Sequence, residues 1–191
     1  MTPDDRVRMA FESIRREDFL PAAQRGFARE DRALRIGHRQ TNSQPRTVAD
    51  MLNLLEVEPG HKVLDVGCGS GWTTALLGFL VGPAGRVYGM EIVPELVAWG
   101  RENLDAYPMP WTSIIPAAPD HLGSPEHAPF DRVLVSAEAN SLPHSLIDQL
   151  VVGGILVGPV AGRMTVARRT DGAPAVSHHG SYSFVPLVEP G

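Results

Sequence analysis

Between His61 and Val160, short apolar runs rich in β-branched residues alternate with segments of helical spacing, which restricts the chain to few architectures. The runs are HKVLDVG (61–67), GRVYGMEI (85–92), WTSIIPA (111–117), DRVLVSA (131–137) and GGILVGPV (153–160), with helices expected over Trp72–Phe79, Pro94–Asp105 and Pro143–Leu150. Strands joined through helices require right-handed crossovers, so the expected fold is α/β, a doubly wound and mostly parallel sheet of seven strands. Its last two strands are expected over Arg163–Thr170 and Ser181–Val188, joined through Asp171-Gly172 into an antiparallel C-terminal hairpin. Ahead of the core, helical spacing from Val7 stopped by Pro21, an arginine-rich loop to Gln44 and a helix over Pro45–Leu55 form an N-terminal helical extension. The chain therefore reads as one domain over 1–191. Residues 1–58 form its N-terminal helices and lid segment, 59–160 its ligand-binding core, and 161–191 its edge hairpin.

Composition narrows the class of function. With 191 residues, 43% apolar and 20% charged, one core suffices to fold the chain. Cys68 is the single cysteine, so no disulfide framework and no multi-cysteine metal site is available. The first residues lack the apolar stretch of a secretory signal, and no apolar run reaches the ~18 residues of a membrane span. A cytoplasmic protein with no membrane partner is expected. Residues 1–50 carry ten arginines against eight acids, while the rest of the chain is strongly acidic, leaving a formal net charge of -5. That balance offers no basic face for nucleic acid. His178 and His179, adjacent on an expected strand, point to opposite faces, and no histidine spacing suits a metal.

The chemistry concentrates in VLDVGCGSG (63–71), a strand running into a glycine turn that opens a helix. Gly67, Gly69 and Gly71 let a ligand approach the backbone closely at the carboxyl edge of the sheet. Glu91, at the end of the next strand, is placed to accept hydrogen bonds from two ribose hydroxyls. A dinucleotide fingerprint needs a small residue where Trp72 stands, so a nucleoside without pyrophosphate, S-adenosylmethionine, suits the loop better. Asp65 or backbone carbonyls would then face its ammonium group. Nothing adjacent in sequence activates Cys68 as a nucleophile, which leaves it as a small residue of the turn.

Together with IGHRQTNSQP (36–45), GRVYGMEIVPEL (85–96), APFDRVLVSA (128–137) and FVPLV (184–188), this loop makes the chain resemble protein-L-isoaspartate O-methyltransferases over nearly its whole length. The resemblance implies methyl transfer from S-adenosylmethionine to the free α-carboxylate of isoaspartyl residues in damaged proteins. It also implies site residues: Ser43 positions the attacking carboxylate, and Gln40, Thr41 and Asn42 contact substrate. Asp65, Gly67, Cys68, Gly69, Ser70, Gly71, Glu91, Ile92 and Asp120 would hold the cofactor. A serine just ahead of a proline-initiated helix is also a common cap, and that reading of Ser43 stands beside the first.

Four positions depart from the family pattern. Arg39 replaces a glycine, Asn42 an isoleucine, Ala118-Pro119-Asp120 a Gly-Asp-Gly loop, and Glu138 a small neutral residue. A glutamate pointing into a carboxylate site would repel substrate by on the order of 1–4 kcal/mol. These departures keep two alternatives open: a diverged methyltransferase acting on a small molecule or another protein carboxylate, and a non-catalytic nucleoside-binding protein. A monomer is expected.

Overall fold

The computed structural model describes residues 2–188. Helix α1 (Pro3–Ser13) opens on a reciprocal capping box, Thr2 Oγ1 accepting from the Asp5 N–H and the Asp5 carboxylate accepting from the Thr2 N–H. The helix stops at Ile14, earlier than the spacing up to Pro21 suggests, and a 3₁₀ turn (Arg16–Phe19) and a one-turn α2 (Ala22–Arg25) follow. The reason lies in burial: Phe19 and Leu20, which extend the apolar pattern, enter two different clusters that one straight helix face could not serve together.

The arginine-rich stretch expected as a loop contains an antiparallel ribbon, β1 (Leu34–Gly37) and β2 (Gln40–Asn42). Gly37, His38 and Arg39 turn it with φ of 94°, 50° and 61°. Left-handed backbone explains why glycine suits position 39, and Arg39 holds it without that freedom. Helix α3 (Pro45–Leu55) then lays Val48, Met51, Leu52 and Leu55 into the core.

The main sheet follows: β3 (Lys62–Val66), α4 (Trp72–Val81), β4 (Arg86–Glu91), α5 (Pro94–Asp105), β5 (Thr112–Pro116), β6 (Phe130–Val135), α6 (His144–Ile147), β7 (Leu150–Val160), β8 (Arg163–Arg168) and β9 (Ala175–Ser181). Its order is β5-β4-β3-β6-β7-β8-β9, with β3 to β7 parallel and the last two strands antiparallel. The seven-stranded α/β sheet and its C-terminal hairpin are thus as expected. The chain leaves β3 for one side of the sheet and returns to the other side at β6, which makes the carboxyl ends of β3 and β6 the switch point where such sheets bind ligands.

Helices α1, α3, α4 and α5 supply one hydrophobic layer, while the opposite face is covered by α6 and loop residues such as Leu122, Ala128 and Leu187. The helix expected over Pro143–Leu150 is only the single turn α6, because β7 begins at Leu150. The final strand also differs. Ala175–Ser181 pairs with β8, whereas 182–188 crosses the carboxyl end of the sheet. Its backbone bonds run to Gly162 and Glu138, so its alternating apolar residues read as an edge strand although they serve as a wall.

Candidate active site

At the switch point the loop after β3 is pinned to the next strand, the N–H groups of Gly67 and Cys68 both donating to the Met90 carbonyl at 2.9 and 3.0 Å. Gly71, at φ 91°, begins α4 where a Cβ would come within 2.9 Å of Ile114 and 3.3 Å of the Gly100 carbonyl oxygen. The positive φ and these close neighbours on β5 and α5 together favour glycine there.

Glu91 closes the far side. Its Oε2 accepts from the Gly69 N–H at 2.8 Å, and its Oε1 accepts from the N–H groups of Ile92 and Val93 at 2.8 and 2.9 Å. The carboxylate is thereby oriented by the backbone and lines a cleft enclosing about 850 Å³ of non-atom space, its open mouth included. Gln40, Thr41, Gly67, Gly69 and Ile92 share this cleft, as the sequence leads one to expect. Ser136, Ala137, His121 and Val185–Val188 also line it, and sequence reasoning missed them as site residues. The FVPLV segment carried a signal for the last group, which its strand-like alternation concealed.

A smaller cavity of about 300 Å³ lies beside the cleft, lined by Thr41, Asn42, Ser43, the Gly67–Ser70 loop, Trp72, Thr73 and Ser136. A third space, a polar groove, is lined by Thr41, Ser43, Arg46, Asp50 and Tyr182 among others. Thr41 borders all three, and Ser43 borders the last two. Ser43 is no cap: the N-cap of α3 is Gln44, without a side-chain cap bond, and the Ser43 hydroxyl has no hydrogen bond among the described residues. Its carbonyl instead accepts from Arg16 Nη2 at 2.8 Å.

Several expected contacts are placed differently. Asp65 does not face the cleft; fully buried, it accepts from Thr73 and Thr74 hydroxyls at 2.6 and 2.7 Å and from Ser136 at 3.3 Å, tying β3 to α4 and to the end of β6. Asp120 is turned to solvent, paired with His121 Nδ1 at 2.9 Å, and it is His121 that lines the cleft. Proline at 119 and the late position of the acid account for the change. Asn42 is buried, its Oδ1 accepting from Arg16 Nε at 2.8 Å and its Nδ2 reaching Ser70 Oγ at 3.5 Å, so it braces the loop from behind. Glu138 does not enter the cleft at all: its carboxylate accepts from the N–H groups of Gly162 and Phe184, stapling the C-terminal crossing segment in place. The repulsion expected there is absent. Cys68 is buried and its thiol is pushed well above the ordinary range, first by desolvation and then by the Asp65 and Glu91 carboxylates, which removes it as a nucleophile at neutral pH.

Burial raises the Asp65 carboxyl from 3.8 to about 6, against the pull of its three hydroxyl partners. A pKa raised by folding gives stability that is full below the unfolded value and is lost as pH rises through the folded one. Wild type is therefore expected to lose about 3 kcal/mol through this group across that window. The loss should be missing in Asp65→Asn. Urea unfolding of both proteins across that pH interval checks it, and parallel pH curves would refute it.

The fold is shared with known proteins. The sequence profile of the protein-L-isoaspartate(D-aspartate) O-methyltransferase family matches residues 1–190. The chain is similar to protein-L-isoaspartate O-methyltransferases of Aeropyrum pernix, 42% identical over 96% of this chain and 72% of that one, and of Methanopyrus kandleri, 40% identical over 96% and 84%. Among solved structures, a protein-L-isoaspartate O-methyltransferase superposes with a TM-score of 0.87 at 22% identity, covering 96% of this chain, which spans 61% of that longer one. A β-aspartate methyltransferase from Plasmodium falciparum, crystallised with S-adenosyl-L-homocysteine, superposes with a TM-score of 0.81 at 24% identity over 96% of this chain and 90% of that one. Profile and relatives agree over nearly the whole chain, and it belongs to the protein-L-isoaspartate(D-aspartate) O-methyltransferase family.

Proposed function

We propose that this protein transfers the methyl group of S-adenosylmethionine to the free α-carboxylate of isoaspartyl residues in proteins and peptides, the first step in their repair. The observation that carries this reading is the position of Thr41 and Ser43, where the cleft, the small cavity and the polar groove meet. The cofactor fits the residues present: the Glu91 carboxylate, already oriented by three N–H groups, would take the ribose hydroxyls, with Ile92 alongside. Gly67, Cys68, Gly69 and Ser70 border the small cavity where its amino-acid end would lie, and Gly71 allows the loop to turn there. Asp65, Asn42 and Asp120 hold the frame or face solvent and are assigned no ligand contact. Residues 1–58, 59–160 and 161–191 act as one domain, since all three contribute to the cleft.

The bound cofactor supplies an electrophilic methyl group on a sulfonium. Its acceptor, a carboxylate with a reference pKa near ~4, is already ionised at neutral pH and needs no general base. The task left to the protein is to orient two partners whose opposite charges vanish on transfer, and to keep water from them. The Ser43 hydroxyl, free of other bonds among the described residues, orients the acceptor carboxylate. The alternative of a different substrate drew on Arg39, Asn42 and Glu138; the Glu138 carboxylate is engaged elsewhere and Asn42 is bonded to Arg16, which leaves Arg39 as its basis.

Incubation with methyl-labelled cofactor and an isoaspartyl peptide, beside its normal aspartyl twin, tests the reading. Label in the isoaspartyl peptide alone is the expected result, and cofactor binding without transfer to either peptide overturns it. In Ser43→Ala, turnover is expected to fall roughly 10- to 100-fold through lost orientation, with the melting temperature nearly unchanged because no cap is lost. Equal turnover would remove Ser43 from the mechanism.

A further inference from the structure

Most arginines of the N-terminal quarter are committed to partners: Arg6 to Glu58, Arg8 to Glu12, Arg15 to Glu17, Arg32 to Glu30, and Arg25 to the Leu20 carbonyl. Among the described residues, the side chains of Arg29, Arg35, Arg39 and Arg46 make no hydrogen bond or ion pair. Of these, Arg35 and Arg39 lie on the ribbon that carries Gln40 and Thr41, and Arg46 lines the groove of Ser43, whereas Arg29 lines a separate hollow. Arg35 pairs with Thr41 in the ribbon register, and residues directly opposite share a face with Cβ atoms roughly 5 Å apart. Leu34, Ile36 and Asn42 are buried on the other face, which turns Arg35 outward beside Thr41. Arg39 stands at the tip of the same ribbon, next to Gln40 of the cleft, and Arg46 lines the polar groove with Ser43.

We propose that Arg35, Arg39 and Arg46 form a cationic rim that selects isoaspartyl segments flanked by acidic side chains. The inference rests on the function proposed above and names the sequence context that the same site prefers. Acids near the rim are held by other groups: Asp31 accepts from the Arg46 N–H and the Gln44 amide, and Asp50 accepts from the Tyr182 hydroxyl. They temper Arg46 and leave Arg35 and Arg39 unopposed. A rim of this kind acts through long-range attraction, raising capture of oppositely charged segments and excluding basic ones, and it weakens as salt shortens the Debye length. Arginines serving only solubility would give no dependence on the charge of the flanks.

The test uses fluorescent isoaspartyl hexapeptides with Glu, Ala or Lys flanking the site, bound to the full chain in the presence of S-adenosylhomocysteine and followed by anisotropy. At low salt the Glu-flanked peptide is expected to bind roughly tenfold more tightly than the Lys-flanked one, and the ratio should shrink several-fold near ~0.5 M salt. The variant R35Q/R39Q/R46Q should lose the preference while keeping its affinity for S-adenosylhomocysteine, which shows that it folds. Arg29→Gln, which removes an exposed arginine outside the rim, should keep the preference. Equal binding of Glu and Lys flanks by wild type, binding of none of the peptides, or an undiminished preference in the triple variant overturns the rim. Transfer to isoaspartyl over aspartyl peptide tests the function separately, so the two failures are distinguishable.

Discussion

Replacing Arg16 with alanine is expected to cost about 3–5 kcal/mol of stability, because several buried acceptors lose a charged donor at about 1–3 kcal/mol each, partly offset by water entering. The guanidinium is only 6% exposed, stacks over Trp72 at 5.3 Å, and donates to the Asn42 side chain and to the carbonyls of Ala28, Glu30, Arg32, Asn42 and Ser43. Burial lowers its pKa to about 10, with Asp31 opposing the shift, so it stays charged at neutral pH. One side chain thus gathers both ends of the segment from Ala28 to Ser43, whose own backbone bonds are local turns and the β1–β2 ladder. Lysine offers three donors from a point charge in place of a planar fork, so Arg16→Lys should recover only part of the loss. Thermal unfolding is expected to show a fall of roughly 10 °C for the alanine variant. A shift within ~2 °C would mean that the segment holds itself and that this account of it is wrong.

Glu91→Ala is expected to raise the dissociation constant for S-adenosylhomocysteine about 100-fold or more. Two hydrogen bonds from sugar hydroxyls to an ionised acceptor are worth about 1.5–3 kcal/mol each, and the variant forfeits both. It also strands the N–H groups of Gly69, Ile92 and Val93, which water entering the cleft must then satisfy. Glu91→Gln keeps the bulk and one acceptor, but its amide NH2 must face an N–H donor that a carboxylate oxygen now satisfies, so a loss short of that in Glu91→Ala is expected. Titration calorimetry with each variant decides the matter, and an unaltered affinity in Glu91→Ala would place the sugar elsewhere.

Much of this arrangement was legible in the residues because the signals were local. A β-branched run, three glycines and a helix follow one another in 63–81, and the acid ending the next strand falls where a parallel neighbour must put it. The remainder depended on partners far apart in sequence. Nothing around Glu138 reveals that its carboxylate meets the N–H groups of Gly162 and Phe184, so a side chain expected to repel substrate is a staple. Asp65 was legible as a site acid from its place beside the loop, yet Thr73 and Thr74, one turn into α4, claim it. The ribbon at 34–42 escaped notice because its strands span three or four residues, too short for alternation to be read. Asn42, odd as a replacement for isoleucine, becomes intelligible only beside Arg16, 26 positions earlier.

The cleft takes its walls from positions as distant as Gln40 and Val188. During synthesis, a growing polypeptide therefore has no enclosed space for the nucleoside until nearly all the described residues have left the ribosome. Mass-action stabilisation by ligand, whatever its cellular concentration, reaches only the finished protein, and the earlier stages of folding must proceed on the sheet and its helices alone.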